Sequence, residues 1–194
     1  LGFDFGLFGN RITGEFDIYE KLTEDLLLNV QIPATSGFNT SLQNVGELEN
    51  KGWELTLNTF NLQGDFRWNS SFNISQNRNK ITELNEQVIT AGLANLSRAM
   101  ENQPIGVFFA PKFFGVDQSN GDALFSVFSD EDCKVLRSDA DGGPSTTNYN
   151  LATRCVIGNP NPKFIGGLGN TFSFRGLDVG VQFQFVYGND AYIG

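Results

Sequence analysis

No histidine occurs among the 194 residues. That closes the commonest routes to catalysis: no Ser/His/Asp triad, no His-based zinc site and no imidazole acid or base. Few other groups could do chemistry. Carboxylates gather at Asp130, Glu131, Asp132, Asp139 and Asp141, and Asp139-Ala140-Asp141-Gly142 is similar to the opening of an EF-hand-like calcium loop. The later ligands of such a loop are missing. Asp139 and Asp141 are therefore weak calcium candidates, and a solvated acidic loop accounts for them better. Gly166, Gly167 and Gly169 lack the spacing and the strand-to-helix setting of a phosphate-binding turn, and suit a thinned wall or a close neighbour instead. Cys133 and Cys155 stand 22 positions apart. A disulfide between them would suit an oxidising exterior and restrict the open segment by roughly 3 kcal/mol. Two unpaired thiols are the alternative, because spacing does not bring sulfurs together. Phe108, Phe109, Phe113 and Phe114 could offer aromatic faces to a ligand, or pack their long segment against itself. Phenylalanine has no polar handle, which favours packing. The expectation is a chain that positions and contacts, with no cofactor and no enzymatic activity.

The elements that would hold these residues are written in the composition. The chain has 22 Gly and 19 Phe but one Met and two Trp, a net charge of -9, and only 18% charged residues. This is rich in strand formers and turn formers. Mean hydropathy lies slightly below zero, and no run approaches the roughly 20 apolar residues of a spanning helix, so a helical membrane protein is excluded. A membrane barrel tolerates this average, since each of its strands shows one face to lipid and the other to water. The acidic balance argues against nucleic acid, whose phosphates need a basic footprint. Beginning at Leu1, with no initiator Met, signal peptide or lipidation motif, the chain reads as internal to a longer protein, and Asp190 to Gly194 read as a cut end.

Period-two alternation, the mark of a two-faced strand, appears in six segments. Phe3, Phe5 and Leu7 oppose Gly2, Asp4 and Gly6, and Gly9-Asn10 predicts a two-residue hairpin. Ile12, Gly14, Phe16 and Ile18 oppose Thr13, Glu15, Asp17 and Tyr19. Trp53, Leu55 and Leu57 oppose Glu54, Thr56 and Asn58. After a short turn at 61–65, Phe66, Trp68, Phe72 and Ile74 oppose Arg67, Asn69, Ser71, Asn73 and Ser75. Phe164, Leu168, Phe172 and Phe174 oppose Gly167, Gly169, Thr171, Ser173 and Arg175. Beyond a turn at Arg175-Gly176, Leu177, Val179, Val181, Phe183 and Phe185 oppose Asp178, Gly180, Gln182 and Gln184.

Short connections at Gly9, Asn61 and Arg175 alternate with long excursions, at about 29–51 and about 76–163. Outer-membrane barrels pair short periplasmic turns with long extracellular loops in this way, whereas long structureless loops count against a compact soluble domain. The fold class expected is therefore all-β: part of an antiparallel transmembrane β-barrel, about six strands with long extracellular loops. Six strands cannot close alone, because strand edges in hydrocarbon leave backbone groups unpaired at several kcal/mol each. The remaining strands should lie outside this sequence. A soluble sandwich or lipocalin-like barrel would alternate similarly, but the aromatic load would crowd a small core. A lipid-facing band with Trp53 and Trp68 near its rims accommodates it. A short helix within 83–101 is the one helical expectation, although its apolar residues keep no convincing period.

The run Phe8-Gly9-Asn10-Arg11-Ile12-Thr13-Gly14-Glu15-Phe16-Asp17-Ile18-Tyr19, followed by Thr23-Glu24-Asp25-Leu26-Leu27, resembles the C-terminal barrel of SusC/RagA-type TonB-dependent transporters. In the same order, Asn44-Val45-Gly46-Glu47-Leu48-Glu49-Asn50-Lys51-Gly52-Trp53-Glu54 is similar to the family's loop-to-strand entry, and Asn77-Arg78-Asn79-Lys80-Ile81 to its strand exit. Pro104-Ile105-Gly106, Gly115-Val116-Asp117 and Ile157-Gly158-Asn159-Pro160-Asn161-Pro162-Lys163-Phe164 complete the set. Each motif is weak alone and the ordered set is specific; it thins between about 125 and 155. The resemblance implies residues 1–194 of a barrel domain in the bacterial outer membrane, with about 22 strands around an N-terminal plug. It also implies active nutrient import, of oligosaccharides or peptides, driven through TonB with a SusD-type lipoprotein over the outer mouth. Neither plug nor TonB-binding segment is in the sequence. Phe108, Phe109, Phe113 and Phe114 then become candidates for substrate or lid contact. The competing reading is a secreted β-rich binding or adhesion domain, for which Asn39, Asn69, Asn73 and Asn95 would be glycosylation sequons.

Overall fold

The computed structural model describes residues 1–31, 40–44, 46–84, 88–91 and 95–192. The sequon at Asn39 lies outside them. Along the described residues run β1 (Gly2–Leu7), β2 (Ile12–Thr23), β3 (Leu27–Gln31), β4 (Thr40–Asn44), β5 (Glu47–Leu62), β6 (Phe66–Glu83), β7 (Ile89–Ala91), β8 (Ser97–Ala99), β9 (Val107–Pro111), β10 (Phe113–Val116), β11 (Ala123–Ser126), β12 (Ser145–Thr146), β13 (Arg154–Gly158), β14 (Phe164–Phe174) and β15 (Leu177–Tyr187). They fall into two compact units. The first comprises Leu1–Gln87, Met100–Ile105 and Asn161–Asp190; the second comprises Val88–Ala99, Gly106–Pro160 and Ala191–Gly194.

The first unit is built on a six-stranded antiparallel sheet in the order β1-β2-β5-β6-β14-β15. These are the six alternating segments of the sequence, and β3 pairs with β4 in a separate hairpin. The cross-strand register collects the apolar residues into straight rows. One row runs Phe5, Gly14, Leu57, Phe72, Leu168, Phe183 through all six strands. Its neighbour runs Phe3, Phe16, Leu55, Ile74, Gly166, Phe185. The opposite pleat carries Asp4, Glu15, Thr56, Asn73, Gly167 and Gln184. Large apolar side chains of the first face stay open, Phe183 at 58% and Phe3 at 63% exposure. A sandwich would bury that face against a second sheet, whereas here hydrocarbon is the only layer that satisfies it.

Dimensions agree. On β6 the outward face runs from Phe66 to Gln76, where the partner of Gln76 across the sheet is Trp53. Ten steps of about 3.3 Å at a tilt near 40° project to about 25 Å, the height of an outer-membrane apolar band. Aromatic residues mark both limits: Phe66, Trp68, Phe172 and Phe174 stack near the tight turns, and Trp53 stands at the other end, near Phe16. Beyond Trp53, on the same face, Lys51 pairs with Glu20 at 3.0 Å and Glu49 at 2.7 Å, as the change from hydrocarbon to water requires.

One row departs from the expected pattern. Leu7, Ile12, Thr59, Ser70, Asn170 and Val181 pair across the sheet, so three polar residues sit in the apolar face. They satisfy one another. Ser70 donates to Asn170 at 2.7 Å, Trp68 donates its indole N–H to Asn170 at 2.9 Å, Asn61 donates to Ser70 at 2.7 Å and Thr59 to Asn61 at 3.0 Å. A continuous chain of hydrogen bonds removes much of the cost of polar groups in lipid.

Asn61 joins that chain because of a β-bulge, the register shift between Phe60 and Leu62. The extra residue keeps Leu62 opposite Trp68 but loosens the ladder. Arg11 compensates by donating to Asn61 O at 2.8 Å and Phe60 O at 3.3 Å. Arg11→Ala is expected to destabilise this end of the sheet by about 1 kcal/mol. Faster amide exchange confined to residues 58–68 of the full-length protein would register it.

The connections refine the sequence reading. Arg175 and Gly176 form a two-residue turn, both with positive φ, as a hairpin matched to strand twist requires. The first hairpin is wider than predicted: β1 ends at Leu7 and β2 begins at Ile12, with Phe8, Gly9 and Asn10 all at positive φ. β6 extends to Glu83, so the second long excursion is shorter than predicted, while the first lies between Thr23 and Glu47, displaced toward the N-terminus and no shorter. Of the span 83–101 in which a short helix was expected, residues 85–87 and 92–94 lie outside the described residues, and Asn95 is 3-10 in conformation. On either side of it stand β7 and β8, held by pairing with each other and of β8 with β9, a non-local partnership with no local signature.

In the second unit β13, β9, β8 and β7 form one sheet and β10, β11 and β12 another. Among the described residues its buried ones are Val107, Ala110, Pro111, Ser126, Val127, Ala152 and Cys155. This is a small core, and covalent and turn contacts supplement it.

Candidate functional site

Two surfaces could act on a solute: the polar face of the six-stranded sheet and the second unit. On the polar face, carboxylates and amides alternate with small residues. Asn58, Ser71, Gly169, Gly180 and Gln182 line a shallow hollow there. A Cβ at Gly169 would sit 2.6 Å from Ser71 Oγ, and one at Gly166, on the apolar face, 2.5 Å from the Asn73 carbonyl and from the Phe185 ring. Gly166 therefore lets an aromatic ring lie flat over the strand, and Gly167 and Gly169 thin the inner wall. No phosphate cradle is formed. Asn69 and Asn73, two of the sequons, lie within β6 in this wall, while Asn95 is exposed in the second unit.

In the second unit the structure joins Cys133 to Cys155, with Cα atoms 6.2 Å apart. Cys155 is buried on β13, so the bond ties the 130–136 loop to the four-stranded sheet. The loop is shaped from within by Asp130, whose carboxylate accepts the N–H groups of Lys134 at 2.9 Å and Val135 at 2.6 Å. These bonds hold the Asp130 carboxyl below the usual carboxylate range. Asp132 pairs with Lys134 at 2.7 Å in full solvent. Asp130 is thus used as a turn builder and Asp132 as the partner of Lys134.

A depressed carboxyl contributes stability that is fully present above its unfolded value near 3.9 and is lost as pH falls through the lower folded value. Pepsin nicking of the 130–136 loop should therefore begin only below about pH 3.9 in the wild type. In Asp130→Asn it should occur throughout the protease's acidic range.

Asp139 and Asp141 lie in a single 3-10 turn. The Ser138 hydroxyl donates to Asp141, and Arg137 donates to the Gly142 and Gly143 carbonyls at 3.0 and 2.9 Å. Among the described residues no three His, Cys, Asp or Glu side chains converge as a metal site.

The four phenylalanines do not form one cluster. Phe108 and Phe109 are on β9, and Phe113 and Phe114 on β10, in a different sheet. Among the described residues no ring contact joins any two of them. Phe108 meets Tyr192 at 6.5 Å between centroids, Phe109 lies under the guanidinium of Arg98 at 4.0 Å, and Phe113 and Phe114 are exposed at 60% and 44%. Adjacency in sequence suggested a cluster, but Pro111-Lys112 carries the chain from one sheet to the other. What the sequence reading missed is Arg98 itself, and Arg154, which lies over the Tyr149 ring at 5.9 Å. Neither arginine stands in a segment with a local signal of its own. Their shared face becomes legible only once β8, β9 and β13 are paired.

A two-faced antiparallel sheet with an apolar band about 25 Å tall, aromatic rims, a polar inner face and unpaired edges at β1 and β15 defines the wall of a transmembrane β-barrel, continued by strands beyond these six. Comparison with known proteins narrows this. The family model described as "TonB dependent receptor-like, beta-barrel" matches residues 1–194, and the chain belongs to that family of outer-membrane proteins. It is 35% identical over 206 residues to TonB-dependent receptor P26 of Formosa agariphila, covering 99% of this chain and 20% of the relative. Over 85 residues it is 46% identical to TonB-dependent receptor SusC of Bacteroides thetaiotaomicron, covering 43% of this chain and 8% of SusC. Among solved structures, the RagAB peptide importer in its closed-closed state superposes with a TM-score of 0.81 at 28% identity, covering 97% of this chain and 20% of that one. The chain thus spans about a fifth of the length of P26 and of the matched RagAB chain. The SusC/RagA resemblance read from the ordered motifs stands on these matches.

Proposed function

We propose that residues 1–194 supply barrel wall and outer loops to an active importer of nutrients, oligosaccharides or peptides, energised through TonB and covered by a SusD-type surface lipoprotein. In this reading the plug and the remaining strands come from other parts of a longer protein. The observation that carries it is the six-stranded sheet with a hydrocarbon face on one side and a hydrophilic, glycine-thinned face on the other. Such a wall encloses a lumen that must be filled or gated, and the relatives named for TonB dependence and for peptide import share it. The wall positions; the energy comes from elsewhere. Disulfide and turn contacts in the second unit suit a loop that faces the cell exterior.

The test is uptake of fluorescent oligosaccharides and peptides by cells that carry or lack the full-length protein, with TonB intact or inactivated. The expected result is loss of uptake of at least one substrate class in both defective strains. Uptake unchanged in both strains, with cell adhesion impaired instead, would support the secreted or adhesive alternative.

A further inference from the structure

Arg98 of β8 pairs with Val107 of β9, and Arg154 of β13 pairs with Pro111 of β9. Phe109 lies between those two positions on β9 and pairs with Val156. Strand alternation then places Arg98, Phe109, Arg154 and Val156 on one face of the four-stranded sheet. The two arginines flank one aromatic ring from opposite sides of its strand. Arg98 stacks on Phe109 at 4.0 Å and Arg154 lies over Tyr149 at 5.9 Å, so both are steered by rings and not by carboxylates. Among the described residues neither guanidinium has an ion-pair or hydrogen-bond partner, and Arg98 Nε is buried with none. The face is not sealed, since Val156 is 39% exposed.

Two guanidiniums without carboxylate partners on one face of a small sheet are an unexpected feature in a chain of net charge -9, where carboxylates are plentiful. Burial, and after it the charge of Arg154, make the charge on Arg98 less favourable than usual, a cost that a bound anion would relieve. Guanidinium presents its N–H groups as a planar fork that matches carboxylate and sulfate oxygens, and stacking on a ring orders the fork in advance.

From this arrangement we infer that Arg98 and Arg154, held on Phe109 and Tyr149, form a binding site for an oxyanion, a carboxylate or sulfate group carried by the solute that the protein takes up. The inference rests on the importer reading and adds a substrate class to it. Arg98 provides the ordered fork and Arg154 the exposed, adaptable second contact. Phe109 and Val156 offer apolar surface to the neutral part of the ligand.

The experiment uses the purified full-length protein in detergent and titrates four probes by calorimetry: an oligogalacturonate, a sulfated dextran oligomer, a glutamate-rich hexapeptide and neutral maltohexaose. The arms separate glycan carboxylate, glycan sulfate and peptide carboxylate. The expected result is binding of at least one anionic probe, weakened at least tenfold in Arg98→Gln/Arg154→Gln and less in Arg98→Lys, with any binding of maltohexaose unchanged. The heat-modifiable band of the folded barrel shows that each variant is assembled. No binding of any anionic probe by the wild type, or equal binding by the double variant, would overturn the site. If TonB-dependent uptake stands while the site fails, only this inference falls. If uptake proves TonB-independent while an anionic probe binds through both arginines, the importer reading falls and the site remains.

Discussion

Leu168→Arg is expected to cost the folded protein about 2–4 kcal/mol, the penalty for a charge near the middle of an outer-membrane band. Leu168 pairs with Phe72 and Phe183 in the row that lies close to the band's centre. Gln184→Arg, one position along β15 from Phe183 but on the opposite pleat, places the same charge toward the lumen. It should cost less than about 1 kcal/mol, as surface substitutions do. Denaturant titration of the full-length protein in lipid vesicles, followed by the heat-modifiable band, compares the two. The contrast matters more than either value, because a soluble sheet with a solvated outer face would not tell these positions apart.

The second large effect belongs to the disulfide. Removing it by Cys133→Ser with Cys155→Ala is expected to destabilise the 127–155 segment by about 3 kcal/mol, the chain-entropy value for a loop of this length. Loss of a bridge matters here because the second unit's buried apolar set is small. Amide exchange of that segment in the full-length protein should accelerate roughly 100-fold, a conversion of about 3 kcal/mol by the usual 1.4 kcal/mol per decade. Exchange in β5, β6 and β14 should be unaltered, since none of their ladder bonds depends on the bridge. Reduction of the wild type should reproduce the variant.

Much of the sheet was legible in sequence because its physics is local. A period of two, interrupted by residues fit for tight turns, identifies strands and their faces without knowledge of their partners, and the turn at Arg175-Gly176 falls where its φ values demand. Trp53 and Trp68 lie at the rims for the same reason: hydrocarbon thickness translates directly into residue count. Ser70 and Asn170 were passed over because each breaks the alternation alone and is explained only by the other, 100 residues away in sequence. β7, β8 and β13 are short, and nothing local distinguishes them from loop until β9 gathers them. Four phenylalanines within seven residues suggested a cluster, yet two β-sheets divide them. Arg98 and Arg154 were invisible as a pair, since a strand between them is what brings their charges together.

The most direct test of the two-faced wall is nitroxide scanning along β6 in the full-length protein, reconstituted in lipid bilayers, with collision by dissolved oxygen as the readout. Single substitutions Trp68→Cys, Phe72→Cys and Ile74→Cys should each give high oxygen accessibility, as side chains immersed in hydrocarbon do. Asn69→Cys, Ser71→Cys and Asn73→Cys should give low values, with a period of two along the strand. An absence of that alternation, or alternation in the opposite sense, would contradict the assignment of the apolar face to lipid.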